Sequence, residues 1–204
     1  MNRAVVIRTT RGLADYLIGR GRGGGLVVVG YDKDGDEDAG LVLVDVATGV
    51  EAPFAAKPGV QHGSVVWSRA GDRVFFRDNA DSPADFHLRE ATLATQAVRT
   101  VLARPGAWSV EDVDAAGKRL LVSLARSNYD TSIYVLDLAS GALAEIDAMP
   151  AGKTAAAGEP RFVGSKGAGS GTAGIGEAVV YLSDRGGERR RAWIARLDDG
   201  TIDG

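Results

Sequence analysis

Apolar residues fall along this chain in short runs, each closed by Gly, Asp, Asn or Ser, and the runs return at a fixed step. Val65-Val66-Trp67, the polar stretch Ser68-Arg69-Ala70-Gly71-Asp72 and the run Arg73-Val74-Phe75-Phe76 read as a strand, a tight turn and a second strand. Moving 46 residues on takes Gly71 to Gly117, Arg73 to Arg119 and Val74 to Leu120, inside Val113-Asp114-Ala115-Ala116-Gly117-Lys118-Arg119-Leu120-Leu121-Val122. One step back from Val74 is Val28, in the run Leu26-Val27-Val28-Val29. Leu41-Val42-Leu43-Val44-Asp45-Val46-Ala47-Thr48-Gly49 matches Ile133-Tyr134-Val135-Leu136-Asp137-Leu138-Ala139-Ser140-Gly141 at two steps. Runs this short, rich in β-branched and aromatic residues and bounded by turn formers, predict strands, and no helical period competes with them. About four such strands in each unit of roughly 40–50 residues is the signature of a β-propeller blade.

The repeat divides residues 26–204 into four units, 26–56, 62–104, 107–148 and 159–204, after an irregular segment over 1–25. Within that segment Leu13 to Ile18 suits a short helix or a strand outside the repeat, and Gly19 to Gly25 reads as a linker. Leu120 to Val179 and Gly141 to Gly200 are both 59 residues apart, so two independent anchors place one insertion of 13 residues before the strand at Ala178. The Gly/Ser/Ala-rich stretch 164–176 is the natural place for it. The expected fold is all-β, a partial propeller of about four four-stranded antiparallel sheets. Four open blades would leave strand edges and apolar faces uncovered. The chain is therefore expected to be a fragment, a truncated reading frame or a chain that closes by association, with a compact four-bladed ring as the remaining option.

Composition narrows the classes. With 45% hydrophobic and 25% charged residues the chain has an ordinary globular balance. A net charge of -3 argues against a nucleic-acid partner, which selects a basic face. The absence of cysteine excludes a disulfide scaffold, thiol catalysis and cysteine-ligated metals. Ala4-Val5-Val6-Ile7 is too short for the core of a signal peptide and no window is long enough for a membrane helix. The chain as written is expected to be cytoplasmic and without a membrane partner.

No candidate chemistry rises above its bland alternative. Asp32, Asp34, Asp36 and Asp38 alternate as in a calcium loop, but Glu37 stands where that loop needs Gly, and Leu43 where it needs Glu. Gly152-Lys153-Thr154 matches the end of a phosphate-binding loop, yet Asp147 occupies the place of its first glycine, and Gly158 and Pro160 interrupt the helix that must follow. Gly169-Ser170-Gly171-Thr172-Ala173-Gly174 is followed by a strand where a dinucleotide fingerprint needs a helix. His62, expected in a loop, and His87, expected in a strand, are the only imidazole bases, and no serine lies in a G-x-S-x-G elbow. Trp67, Trp108, Trp193, Phe75, Phe76 and Tyr181 are expected to pack blade on blade. Arg189-Arg190-Arg191 is expected in a solvated hairpin. No catalytic residue, cofactor or metal is assigned.

The runs Val66-Trp67-Ser68-Arg69-Ala70-Gly71-Asp72-Arg73, Ile133 to Gly141 and Tyr181-Leu182-Ser183-Asp184-Arg185 resemble blades of the propellers in bacterial prolyl oligopeptidase-family serine peptidases. TolB propellers share that signature, W-S-x-D-G-x-x followed by I-Y-x-x-D-x-x-x-G, and Trp108-Ser109-Val110-Glu111-Asp112 is similar to the peptidase subgroup. The resemblance covers residues 26–204, with Ala70 and Ala116 in place of the usual acidic turn residue. It implies a propeller that precedes an α/β-hydrolase domain and restricts access to it. The catalytic Ser, Asp and His of that family have no positions here. The function implied is a non-catalytic, substrate-gating portion, or else a stand-alone TolB-like module that binds a protein or ligand. The partners implied are a peptide substrate, a hydrolase domain or partner protein, and further copies of the chain through open blade edges.

Overall fold

A computed structural model describes residues 13–17, 25–31, 38, 40–55, 57–164, 177–198 and 200–204. It contains sixteen strands and, among the described residues, no helix. The chain forms two compact units, 1–105 and 106–204.

The first unit holds two sheets. β1 (Leu13–Leu17), β2 (Leu26–Tyr31), β3 (Gly40–Asp45) and β4 (Glu51–Ala55) pair in chain order. β5 (His62–Trp67), β6 (Arg73–Asp78), β7 (His87–Thr92) and β8 (Ala97–Leu102) do the same. In the second unit β9 (Ala107–Val113), β10 (Arg119–Ser127), β11 (Asp130–Asp137) and β12 (Leu143–Glu145) form the third sheet. β13 (Ala157–Val163), β14 (Ala178–Ser183), β15 (Arg191–Arg196) and β16 (Ile202–Asp203) form the fourth. Within the four sheets every strand pairing is antiparallel and follows chain order, so each blade is one continuous stretch of chain.

One strand falls outside the repeat expectation. Leu13–Leu17 pairs with β2 through Tyr16↔Val29 and Leu17↔Val28, so the first sheet begins upstream of residue 26. The link between β13 and β14 runs from 164 to 177, which is where the length excess was placed; residues 165–176 lie outside the described residues.

The second strand of each sheet explains why the apolar runs do not alternate. Val28, Val29, Val74, Phe75, Leu120, Leu121 and Val179 are at most 1% exposed, because both faces of that strand are covered. In the first unit Val28 and Leu41 of one sheet pack on Val74, Phe76 and Ala91 of the next, and Phe54 meets Phe76 edge-on at 5.9 Å. In the second unit Leu121 and Ile133 pack on Ala157, Val179, Tyr181 and Ala195. The outer strands carry the polar surface: in β8, residues 97–100 are exposed.

Two turn devices carry the repeat. Asp45 accepts hydrogen bonds from the amides of Ala47 and Thr48 (2.9 and 2.8 Å) and from the Thr48 hydroxyl (3.0 Å). Asp137 does the same with Ala139, Ser140 and the Ser140 hydroxyl (3.1, 2.8 and 2.7 Å). Gly49 and Gly141 then close the turns at φ of 72° and 71°, where a Cβ would be strained. Between the first and second strands of a sheet, Ser68 Oγ accepts from the Arg73 amide (3.1 Å), and Asp114 Oδ1 accepts from Lys118 and Arg119 (2.7 and 3.2 Å).

Candidate binding cleft in the second unit

The cleft arises where a strand is too short. β12 pairs with β11 only from Tyr134↔Glu145 to Leu136↔Leu143, and after the Ile146 amide bonds to the Ile133 carbonyl the chain leaves the sheet. It returns when the Thr131 amide donates to the Ala155 carbonyl (3.0 Å) and Thr131 bridges Ala156. Between those two fastenings the loop opens a polar cleft of about 190 Å³. Its lining includes Arg126, Asp130, Thr131 and Ser132 of the β10–β11 hairpin, Glu145 at the end of β12, and Lys153 of the loop.

The hairpin side is held in place. The register slips between Ala125 and Ser127, a bulge that re-aims the side chains beside it. Arg126 donates to Asp130 Oδ1 (3.1 Å), Ser132 Oγ (3.0 Å) and the Tyr134 hydroxyl (3.2 Å), and Tyr134 rests against Trp108 at 5.3 Å.

The floor is a buried acid. Asp147 is 7% exposed, accepts a 2.7 Å hydrogen bond from the Tyr181 hydroxyl at Oδ2, and has the Arg185 guanidinium against Oδ1. Arg185 in turn lies over the Trp193 ring, 5.2 Å from its centroid. Burial and then the hydrogen bond to the Asp147 carboxylate push the Tyr181 phenol well above its ordinary value, so it stays a neutral donor. Both Asp147 oxygens are therefore committed to fixing the loop on the fourth sheet. Glu145 and Lys153 have no side-chain hydrogen bond or ion pair among the described residues, although they line the same cleft as Arg126.

The structure separates the sequence candidates. Lys153 is the member of Gly152-Lys153-Thr154 that reaches the cleft, on a loop and not at a helix start. Asp32, Asp34 and Asp36, and the glycine motif over 169–174, lie outside the described residues. Among the described residues no three His, Asp or Glu side chains come together as a metal site. His62 opens β5, against the loop expectation, because its backbone pairs with Asp78; its ring is 6.2 Å from Phe76. His87 lies in β7 with Nδ1 2.9 Å from Asp81 Oδ2. Asp81 also takes Arg89 (2.7 Å), whose remaining contacts go to Asp78 and Thr100, and that cluster is internally satisfied. The hydrogen bond from His87, then that from Arg89, lowers the Asp81 pKa. Arg189, Arg190 and Arg191 are exposed in and beside the β14–β15 connection. Phe76, Tyr181, Trp67 and Trp193 pack between sheets as expected, the two tryptophans half-buried against the core clusters; Phe75 and Trp108 are buried, and Trp108 meets Tyr134 of its own sheet.

Four consecutive four-stranded antiparallel meanders, with neighbouring sheets packed face to face within each unit, define a set of β-propeller blades. Solved structures with this fold include a prolyl endopeptidase, similar over 93% of this chain and 27% of its own at 16% identity and a TM-score of 0.69. TolB from Acinetobacter baumannii is similar over 86% of this chain and 40% of its own, at 16% identity and a TM-score of 0.59. A puromycin-hydrolyzing peptidase of Mycobacterium tuberculosis is similar over 99% of this chain and 29% of its own, at 13% identity and a TM-score of 0.63. The chain thus spans between about a quarter and two fifths of these structures. No family model matches the sequence, and no curated protein matches it.

Proposed function

We propose that this chain is a non-catalytic propeller portion that controls substrate access to a serine hydrolase domain of the prolyl oligopeptidase kind. The observation that carries the reading is the similarity of 93% of the chain to a prolyl endopeptidase at a TM-score of 0.69. Because fold alone does not fix function, the test lies with what the blades accompany. The protein is captured from its own cells with an antibody to this chain and treated with a fluorophosphonate probe. The expected result is a labelled serine hydrolase in the capture that cleaves short peptides and spares folded proteins, while the isolated chain takes no label. Labelling of the isolated chain overturns the non-catalytic assignment.

The likeness to TolB supports a second reading, a stand-alone module that binds a protein or ligand. That reading predicts a capture with no labelled hydrolase in it.

A further inference from the structure

We propose that the connection between β14 and β15 is a processing site for endopeptidases that cut after paired basic residues. The sequence holds such pairs in two places, Lys118-Arg119 and Arg189-Arg190-Arg191, and the fold treats them in opposite ways. The bond after Arg119 lies inside β10, a central strand, with Arg119 paired to Asp137 on one side and Leu120 to Val113 on the other. The Lys118 and Arg119 amides both donate to Asp114 Oδ1 (2.7 and 3.2 Å), and the Arg119 guanidinium bonds Asp114 and Glu177 (3.1 and 2.7 Å). Leu120, on the far side of that bond, is fully buried. A protease reaches it only by opening the third sheet.

The arginine run is presented to solvent. Residues 184–190 belong to no strand, and every residue from Gly186 to Ala192 is exposed. The Asp184 and Gly187 amides bond to the Ala156 and Asp184 carbonyls, but no backbone hydrogen bond to a described residue holds Glu188, Arg189 or Arg190. Exposed loops with small residues are where proteolytic nicking concentrates, and Gly186 and Gly187 supply them here. Downstream the chain is already extended, and β16 pairs with β15 only at Ile194 and Ala195, so Arg191 to Trp193 have β14 as their one strand neighbour. An extended segment with a free edge is the form in which a protease cleft pairs with backbone. The consecutive guanidinium groups of Arg189 and Arg190 suit a cleft that offers carboxylates to two adjacent side chains. Hydrolysis after Arg190 adds one water across the peptide bond: the hydroxyl completes the Arg190 carboxyl group and the proton goes to the new Arg191 amine. The cut strand stays in place, because β15 keeps its pairing with β14 from Ala178↔Arg196 to Ser183↔Arg191, and Trp193, Ala195 and Ile202 remain in the core. The site stands independently of whether the blades accompany a hydrolase.

The test treats the folded 204-residue chain with purified kexin, an endopeptidase that cuts after Lys-Arg and Arg-Arg, and follows intact masses. The expected first products divide at Arg190 or Arg191, form at least about 100-fold faster than any product ending at Arg119, and elute together in size exclusion. Synthetic peptides spanning 114–124 and 185–195 should be cut at similar rates, which assigns the difference in the chain to its fold. The double variant Arg189→Gln, Arg190→Gln should resist the cut while its circular dichroism matches the parent. First products ending at Arg119, no cut at the arginine run under conditions that cut the 185–195 peptide, peptides that differ as much as the sites do in the chain, or fragments that separate on the column would overturn the proposal.

Discussion

Replacing Tyr181 by Phe removes one oxygen from the core of the second unit and little else. The ring stays packed against Leu121, Ile133 and Val179, so no cavity opens. What is lost is the 2.7 Å hydrogen bond to Asp147, a buried carboxylate that, among the described residues, keeps only Arg185 as its side-chain partner. Hydrogen bonds to charged groups contribute about 1.5–3 kcal/mol, and a value near 2 kcal/mol corresponds to about a 30-fold change in an opening equilibrium. Native-state hydrogen exchange reads that change directly: the β13 and β14 amides of Tyr181→Phe should exchange about 30-fold faster, with the β5 and β6 amides as an internal reference. The pH dependence supplies a second reading. The folded pKa of Tyr181 is raised from 10.0, first by burial and then by Asp147, so its contribution is complete below that value and falls as pH climbs toward the folded pKa. The parent should therefore lose stability above about pH 10 more steeply than the variant. Exchange rates and alkaline slopes that match the parent would refute the assignment of Tyr181 as the anchor of the cleft floor.

Two further perturbations test the blades themselves. Phe76→Ala empties a site that is 1% exposed between the first and second sheets, and should cost about 3–5 kcal/mol in urea unfolding of the chain. Asp137→Ala removes the acceptor of three turn hydrogen bonds, and should lower the unfolding midpoint at pH 7 where Asp137→Asn, which keeps an acceptor oxygen, lowers it less. The Asp137 pKa is lowered, chiefly by the Ser140 amide and hydroxyl, so that contribution is present above 3.8 and lost as pH falls through the depressed folded value. The difference between the parent and Asp137→Ala should accordingly narrow in acid, as unfolding followed by circular dichroism would show.

Much of the fold is legible in the sequence because its repeat records backbone chemistry. The Asp-x-x-Thr/Ser-Gly turns at Asp45 and Asp137 recur since the same carboxylate must bond the same amides before a glycine in the left-handed region. The apolar second strands are visible because burial on both faces removes alternation at Val28, Val74, Leu120 and Val179. β1 escaped the pattern: no Asp-x-x-Thr/Ser-Gly run precedes Leu13-Ala14-Asp15-Tyr16-Leu17 in the sequence, and its pairing with β2 carries a register shift between Leu13 and Asp15. β16 is only two residues long, too short for any periodicity.

The cleft was hidden for a different reason. Arg126, Glu145 and Lys153 share no spacing or motif, and they meet only because β12 stops at Glu145 and Thr131 recaptures the chain at Ala156. The one sequence signal was the Gly152-Lys153-Thr154 stretch, whose lysine lines the cleft from an inter-sheet loop and not from a helix start. Asp147, which stood in the way of that phosphate reading, is the floor of the cleft.

Underneath these results lies the claim that one meander cannot cover its own faces, so consecutive sheets stack. Methyl nuclear Overhauser contacts test it most directly. The account predicts cross-sheet contacts between Val28 or Leu41 and Val74, and between Leu121 or Ile133 and Val179 or Ala195. A spectrum in which these methyls see only neighbours in their own sheet would contradict it.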